Sequence, residues 1–406
     1  MNGLFSDKRL AKNTVTGDKA SKIKTLIPGN MKKIYSYGNA FLLVCFFALT
    51  SIVSNSQQIK AGKIITHQFL AASIQGNKGG EDPMRRVSVY LPPGYDEKHD
   101  RYPVIYFLHG FDANDSLMIE WLGFKNLMDR AIGNGTIRPT ILVLPNSDTR
   151  FKGSFYSNSP LTGKWSDYIG KDVVSYIDKN FKTIANRNSR GLAGHSMGGH
   201  GALKIGMLFP EVFGAVYAMS PGALHWSKEF NIDNTAFKKI SEIKNVSEIF
   251  KGSGAPDSTE QNTFLALVFT SIARTFSPRE NAPPFNADFP VRYDGKNMLV
   301  NKEAIEQWEK NFPINMIKDH IPALKSFNAL KIDWGRNDDF PHIPVTSLEF
   351  SKRLEIFKIP HFAEEYIGDH FNQLIGGDGR LYTDLLPFFN RYLEFQKVPP
   401  NKISGL

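Results

Sequence analysis

From residue 63 onward, two spacings of apolar residues take turns along the chain. Lys63-Ile-Ile-Thr-His-Gln-Phe-Leu-Ala71 and Arg86-Val-Ser-Val-Tyr-Leu91 alternate with period two and predict strands; Pro92-Pro-Gly-Tyr95 predicts the turn that follows. Tyr102-Pro-Val-Ile-Tyr-Phe-Leu108 is almost unbroken in its apolarity, the pattern of a parallel strand covered on both faces. Helical spacing follows around Trp121–Ile132, an apolar strand at Thr140–Leu144, and a longer helical pattern at Tyr168–Phe181. Small and apolar residues up to Ala193 predict a short buried strand. Beyond a glycine-rich turn, Gly198–Phe209 reads as a helix that Pro210 ends, and Phe213–Met219 as the next strand. Apolar strands alternating with helices predict an α/β fold on a parallel sheet.

Between Ser220-Pro221 and the next buried strand, Ala329-Leu-Lys-Ile-Asp-Trp334, the texture changes. Residues 223–327 hold Lys/Glu-rich helical stretches (Phe237–Phe250 and Lys302–Asn311), an apolar helix at Phe264–Thr275 and a proline-rich segment through Phe285. An interval too long for a plain connection predicts a helical lid over the functional edge of the sheet. After it, His361–Ile367 reads as a strand and Leu381–Phe395 as an amphipathic helix.

The N-terminal region differs again. Residues 1–30 are polar and without periodicity. Met31-Lys-Lys33, the apolar run from Ala40 to Val53 and Ser54-Asn-Ser-Gln-Gln58 have the charged, apolar and small-residue parts of a secretory signal peptide at residues 31–56. The run falls short of the ~20 residues that span a bilayer. The expectation is an extension plus signal peptide over 1–56, then an exported domain over 57–406 with no stable membrane span. The one cysteine, Cys45, lies inside the apolar run, so the mature chain is expected to carry no disulfide.

Composition narrows the function classes. The 406 residues are 41% hydrophobic and 22% charged, enough for a full core. Of the net charge of +9, residues 1–56 supply +6, and the body shows no basic stripe with interleaved aromatics. A nucleic-acid partner is therefore not expected. There is no His-Glu-x-x-His pattern or Cys/His cluster, so neither a metal nor another cofactor is expected.

The glycine-rich turn carries the candidate chemistry. Gly194-His195-Ser196-Met197-Gly198 is a G-x-S-x-G pattern between a strand and a helix, where a sharp turn exposes the serine as a nucleophile. A serine hydroxyl needs a base to take its proton and a carboxylate to orient that base. Downstream, the strand at 329–334 ends in Gly335-Arg-Asn-Asp338-Asp339; Asp338 is the expected acid, with Asp339 as runner-up and Asp333 inside the strand. His370 follows the last predicted strand in Gly368-Asp369-His370, where the base belongs. His342 is too close to Asp338 in sequence to come from a different loop. The oxyanion donors are expected at the backbone N–H of Met197 and of Phe111, in the His109-Gly110-Phe111 loop. His109, His195 and Trp226 are candidate substrate-binding residues.

Leu108-His-Gly-Phe111, Gly194-His-Ser-Met-Gly-Gly199, Gly335-x-x-Asp338 and Gly368-Asp-His370 resemble the putative esterase family of the α/β-hydrolase superfamily. That family takes in esterase D (S-formylglutathione hydrolase), feruloyl and acetylxylan esterases, enterochelin esterases and antigen 85 mycolyltransferases. The resemblance covers about residues 85–222 and 328–397. It implies an α/β-hydrolase fold with helices on both faces of a mostly parallel sheet, and an exported serine esterase working through an acyl-enzyme on Ser196. Acyl transfer to a sugar or lipid alcohol, or a catalytically silent binding protein on the same fold, are the alternatives. Residues 223–327 depart from the compact members, so the substrate class does not carry over. Phe264, Phe269, Phe276, Phe285 and Trp308 there point to a bulky or aromatic acyl group, and the expected partner is a small-molecule, carbohydrate or aromatic ester.

Overall fold

The computed structural model describes residues 61–250, 258–376 and 378–396. The expected signal peptide and Cys45 lie outside them. Eight strands form the central sheet: β1 (Lys63–Leu70), β2 (Met84–Leu91), β3 (Val104–Leu108), β4 (Ile141–Pro145), β5 (Arg190–His195), β6 (Ala215–Met219), β7 (Ala329–Gly335) and β8 (Phe362–Tyr366). Their order across the sheet is β1-β2-β4-β3-β5-β6-β7-β8. The first two strands and the β2–β4 pair are antiparallel; every pairing from β4 to β8 is parallel.

The unbroken apolar runs follow from cover on both faces. Val104, Tyr106 and Leu108 point to one apolar cluster while Ile105 and Phe107 point to the other. Ile141 and Val143 in β4 part from Leu142 and Leu144 in the same way. One face carries α1 (Asp115–Leu122), α2 (Phe124–Gly133) and α9 (Leu386–Tyr392). The other carries α3 (Val174–Asn180), α4 (Met197–Leu208) and α8 (His342–Ile356). The pattern around Trp121–Ile132 resolves into two helices because Gly123, at φ 60°, ends the first in the left-handed region. Asp333 does lie within β7, fully buried, accepting from Tyr217 Oη at 2.5 Å and Arg380 Nε at 2.7 Å.

Residues 223–327 add α5 (Ala236–Glu242), α6 (Ser258–Phe276), α7 (Lys302–Asn311) and a hairpin of Val291–Asp294 with Asn297–Val300. Phe237 and Phe269 stack with ring centres 4.5 Å apart, beside buried Trp308. Helix α6 is held to the loop after β4 through hydrogen bonds from Ser271 Oγ to Gly153 O and from Ser159 Oγ to Arg274 O. No helix among the described residues is long and apolar enough to cross a membrane.

Candidate active site

Strand β5 passes into helix α4 with Ser196 as the one residue between them. Its backbone sits at φ 60°, ψ −119°, a conformation that L-residues rarely hold unless their surroundings enforce it. Ser196 N–H donates to Met219 O at 3.0 Å, and Ser196 O accepts from His200 and Gly222 N–H, each at 3.1 Å. The flanking glycines are there for space. A methyl group at Gly198 would come within 2.0 Å of Leu108 O, and one at Gly194 within 2.3 Å of Gly198 O. The helix therefore starts hard against the ends of β3 and β5, leaving the serine half-exposed.

The loop after β3 lies beside it. Gly110 is so close that a methyl group there would touch Ser196 Cβ at 3.5 Å. This loop is pinned from beneath: Tyr156 Oη donates to His109 O at 2.8 Å, Ser147 N–H to His109 Nε2 at 2.9 Å, and Asp112 N–H to Lys152 O at 2.8 Å. Phe111 follows Gly110 and lines the pocket at Ser196. Met197 is the first residue of α4, where a backbone N–H has no acceptor within the helix. Both N–H groups belong to segments packed around one serine.

His370 and Asp338 come together from two loops. Helix α8 and strand β8 separate them in sequence, yet His370 Nδ1–H donates to Asp338 Oδ2 at 2.8 Å, with side chains 1% and 0% exposed. Asp338 Oδ1 accepts from Phe340 N–H at 2.9 Å. Burial pushes the Asp338 carboxyl up to about 6 and draws the His370 imidazole down to about 3. A histidine so held rests neutral at physiological pH, with Nε2 free to accept a proton. Asp339 is exposed and lies against the backbone N–H of His370, whereas the imidazole itself donates to Asp338.

The three candidate substrate-binding residues are placed elsewhere. His109, 1% exposed, spends both ring nitrogens on Ser147 N–H and Gly110 O and supports its loop. His195 donates from Nε2 to His370 O at 2.9 Å, so it holds the loop of His370 and does not line the pocket. Trp226 stacks on Trp308 and Phe230 at 5.2 and 5.4 Å, inside the aromatic packing of residues 223–327. The same packing takes up Phe269, Phe276 and Trp308, and Phe285 packs against Phe151 and Phe289. Of the aromatics expected near the substrate, Phe264 alone lines the pocket.

That pocket is a cavity of about 50 Å³ beside Ser196, walled by Phe111, Phe155, Phe230, Phe264 and Phe340. His342 also lines it, although its sequence distance from Asp338 argued against a site role. Helix α8 begins at His342, and this first turn faces the pocket while the loop before it carries Asp338. Phe155, at φ 43°, enters from the loop after β4, which no motif marks. Among the described residues no group of three or more His, Cys, Asp or Glu side chains is placed to hold a metal ion. A strained serine and a buried carboxylate–imidazole pair are the side-chain groups that nucleophilic acyl transfer requires.

Several known proteins have chains related to this one. A xylanase/feruloyl esterase of Xylanibacter ruminicola is 32% identical over 183 residues, covering 44% of this chain and 23% of its own. The S-formylglutathione hydrolase of Paracoccus denitrificans is 30% identical over 147 residues, 33% of this chain and 50% of its own. The chain thus spans at most half the length of these two curated relatives. Among solved structures, a ferulic acid esterase superimposes with a TM-score of 0.55 at 21% identity, over 82% of this chain and 99% of that one. The S-formylglutathione hydrolase of Agrobacterium tumefaciens gives 0.52 at 16% identity, over 82% and 97%. These likenesses make the fold an α/β-hydrolase fold. The model of the family described as putative esterase matches residues 82–370, and with the elbow, the acid and the histidine all inside that span, the chain belongs to the putative esterase family.

Proposed function

We propose that the chain is an exported serine esterase that hydrolyses a carboxylic ester through an acyl-enzyme on Ser196. The observation that carries this reading is the buried Asp338–His370 hydrogen bond, taken together with a serine held in a strained elbow. Phe340 links the two, since its ring lies 4.9 Å from that of His370 and also lines the pocket at Ser196. In the reaction His370 Nε2 takes the Ser196 proton as Oγ attacks the ester carbonyl, and Asp338 stabilises the imidazolium that forms. The N–H groups of Phe111 and Met197 receive the oxyanion, a contribution of about 3–4 kcal/mol to the barrier for each donor. The imidazolium then protonates the departing alcohol, and water activated by the same histidine releases the acid.

Export rests on the pattern at residues 31–56, and residues 223–327 act as a lid, since Phe264, Leu265 and Val268 of α6 supply one wall of the pocket. The cavity is smaller than the ~150 Å³ that takes a benzene ring. A compact acyl group fits it as it stands; an aromatic one requires the wall to move. The test is labelling of folded protein with a fluorophosphonate. An adduct on Ser196 is expected, and Ser196→Ala should lower p-nitrophenyl acetate turnover by about 10⁶-fold. An unlabelled Ser196 in folded protein would sink the esterase reading.

A further inference from the structure

Helix α6 closes one side of the pocket with Phe264, Leu265 and Val268. Ser271 stands one turn past Val268 and two past Phe264, on the same helix face. Hydroxyls inside a helix commonly turn back to the carbonyl four residues earlier. Thr270 and Thr275 do so, onto Ala266 O and Ser271 O. Ser271 Oγ instead donates across to Gly153 O, in the loop after β4. Its residue is 1% exposed, so water offers that proton no alternative partner.

Gly153 is where this tether meets the reaction. A methyl group there would lie 2.5 Å from Phe111 Cδ2 and 2.8 Å from Met197 Sδ. The bare glycine thus backs both residues whose N–H groups are expected to hold the oxyanion. Thr149 Oγ1 also donates to Gly153 O and accepts from Gly153 N–H, each at 3.1 Å. It belongs to the same loop, however, and fixes the loop's shape, not its place. Place comes from α6, through Ser271 and through the Arg274 guanidinium over the Phe151 ring at 4.1 Å. Phe111 meets the same helix directly, its ring edge-on to Phe264 at 5.6 Å.

We infer that Ser271 is a positioning residue for the ester reaction: through Gly153 it ties the pocket-lining face of α6 to the two residues that hold the oxyanion. The wall that the acyl group touches and the donors that stabilise its tetrahedral intermediate are then placed by one contact. Loss of that contact costs transition-state stabilisation, while ground-state binding in the apolar cavity, which Ser271 does not line, is kept. The effect is smaller than deleting a donor, because both N–H groups remain and only their aim is relaxed. This inference rests on the esterase reading above and on its assignment of the two donors.

The test is Ser271→Ala in the full chain, which removes one oxygen and leaves a strong helix former in its place. Acylation and deacylation both pass through an oxyanion. With p-nitrophenyl acetate, kcat should therefore fall about ten-fold while KM stays within about two-fold, since a small misplacement of preorganised groups costs rate. The second readout is inhibition by 1,1,1-trifluoroacetone, whose adduct on a serine carries the same oxyanion. Its Ki should rise about ten-fold, in step with the loss in kcat. Unchanged kcat and Ki beside a lowered melting temperature would mean that the hydroxyl only braces the fold, which overturns the inference. A loss carried by KM alone, with kcat and Ki kept, overturns it as well. Failure of the esterase reading looks different: the wild type turns over no ester and Ser196 stays unlabelled, which overturns both.

Discussion

Asp338 and His370 share one hydrogen bond in a place where neither charge has water as an alternative partner. Burial raises the acid and lowers the base, so as the pH falls below about 6 the hydrogen-bonded pair takes up a proton that the carboxyl holds more readily than the imidazole. A protonated Asp338 can no longer stabilise the imidazolium of the transition state. The charges facing the pair, from His195, His342, Asp339 and Asp369, act on it less than burial does. Ester turnover is therefore expected to fall below about pH 6 along a single-proton limb in kcat/KM. Asp338→Asn should remove that limb and lower the plateau by about 10⁴-fold, as loss of the acid does in other serine triads. Asp339→Asn should leave both in place. A pH–rate profile of the three proteins settles the assignment, and a damaging Asp339→Asn beside a mild Asp338→Asn would reverse it.

The elbow is a matter of how two elements are allowed to approach. Helix α4 can begin at once after β5 because Gly194 and Gly198 let its first turn rest on the carbonyl end of β3. Ser196 takes up the strain of that approach in its positive φ, and Ser220 and Ala223 do the same in the loop beneath, at φ 39° and 54°. Gly198→Ala would place a carbon 2.0 Å from Leu108 O, against backbone that cannot swing aside. The variant should lose about 1–3 kcal/mol or more of stability and most of its activity, because relief comes only by parting α4 from β3. Denaturant unfolding read beside ester turnover checks this. Full activity with a lowered melting temperature would show that the elbow tolerates the shift.

At the scale of the whole molecule, the 223–327 segment is tied to the central helix by a buried amine. Lys204 of α4, 4% exposed, donates from Nζ to Asn311 Oδ1 at 2.8 Å and to Asn311 O at 3.0 Å, at the end of α7. Burial lowers its pKa from 10.5 to about 7. The unfolded chain keeps that proton up to about 10.5, so between these values it binds more protons than the folded chain. Stability from this group must then rise with pH across that window, by up to about 1.4 kcal/mol per pH unit. Lys204→Met fills the same space without a charge. Comparing wild type and Lys204→Met at pH 7 and pH 9 by urea unfolding should show the wild type gaining on the variant at the higher pH. Parallel behaviour at both values would mean that the amine stays protonated.

What could be read from the residues alone was whatever depends on local spacing. The period-two and unbroken apolar runs marked all eight strands of the sheet, because side-chain direction in a strand alternates whatever lies beyond it. The G-x-S-x-G turn, Asp338 and His370 were legible because each stands just past a strand end, where a parallel sheet gathers its loops. Helix ends were less legible; Gly123 split one pattern and the aromatic run at Leu381–Phe395 ended at Tyr392, since caps depend on which groups find partners. The pocket was decided by tertiary packing alone. Trp226 and most of the expected aromatics turned inward to stack on one another, where their area is best buried. His342, set aside for its nearness to Asp338, was brought into the wall by the first turn of α8. Glu229, which accepts from its Nδ1–H, comes from more than a hundred residues earlier in the chain. No spacing rule reaches across such a distance, because the contact exists only after the sheet, α6 and α8 have all been packed.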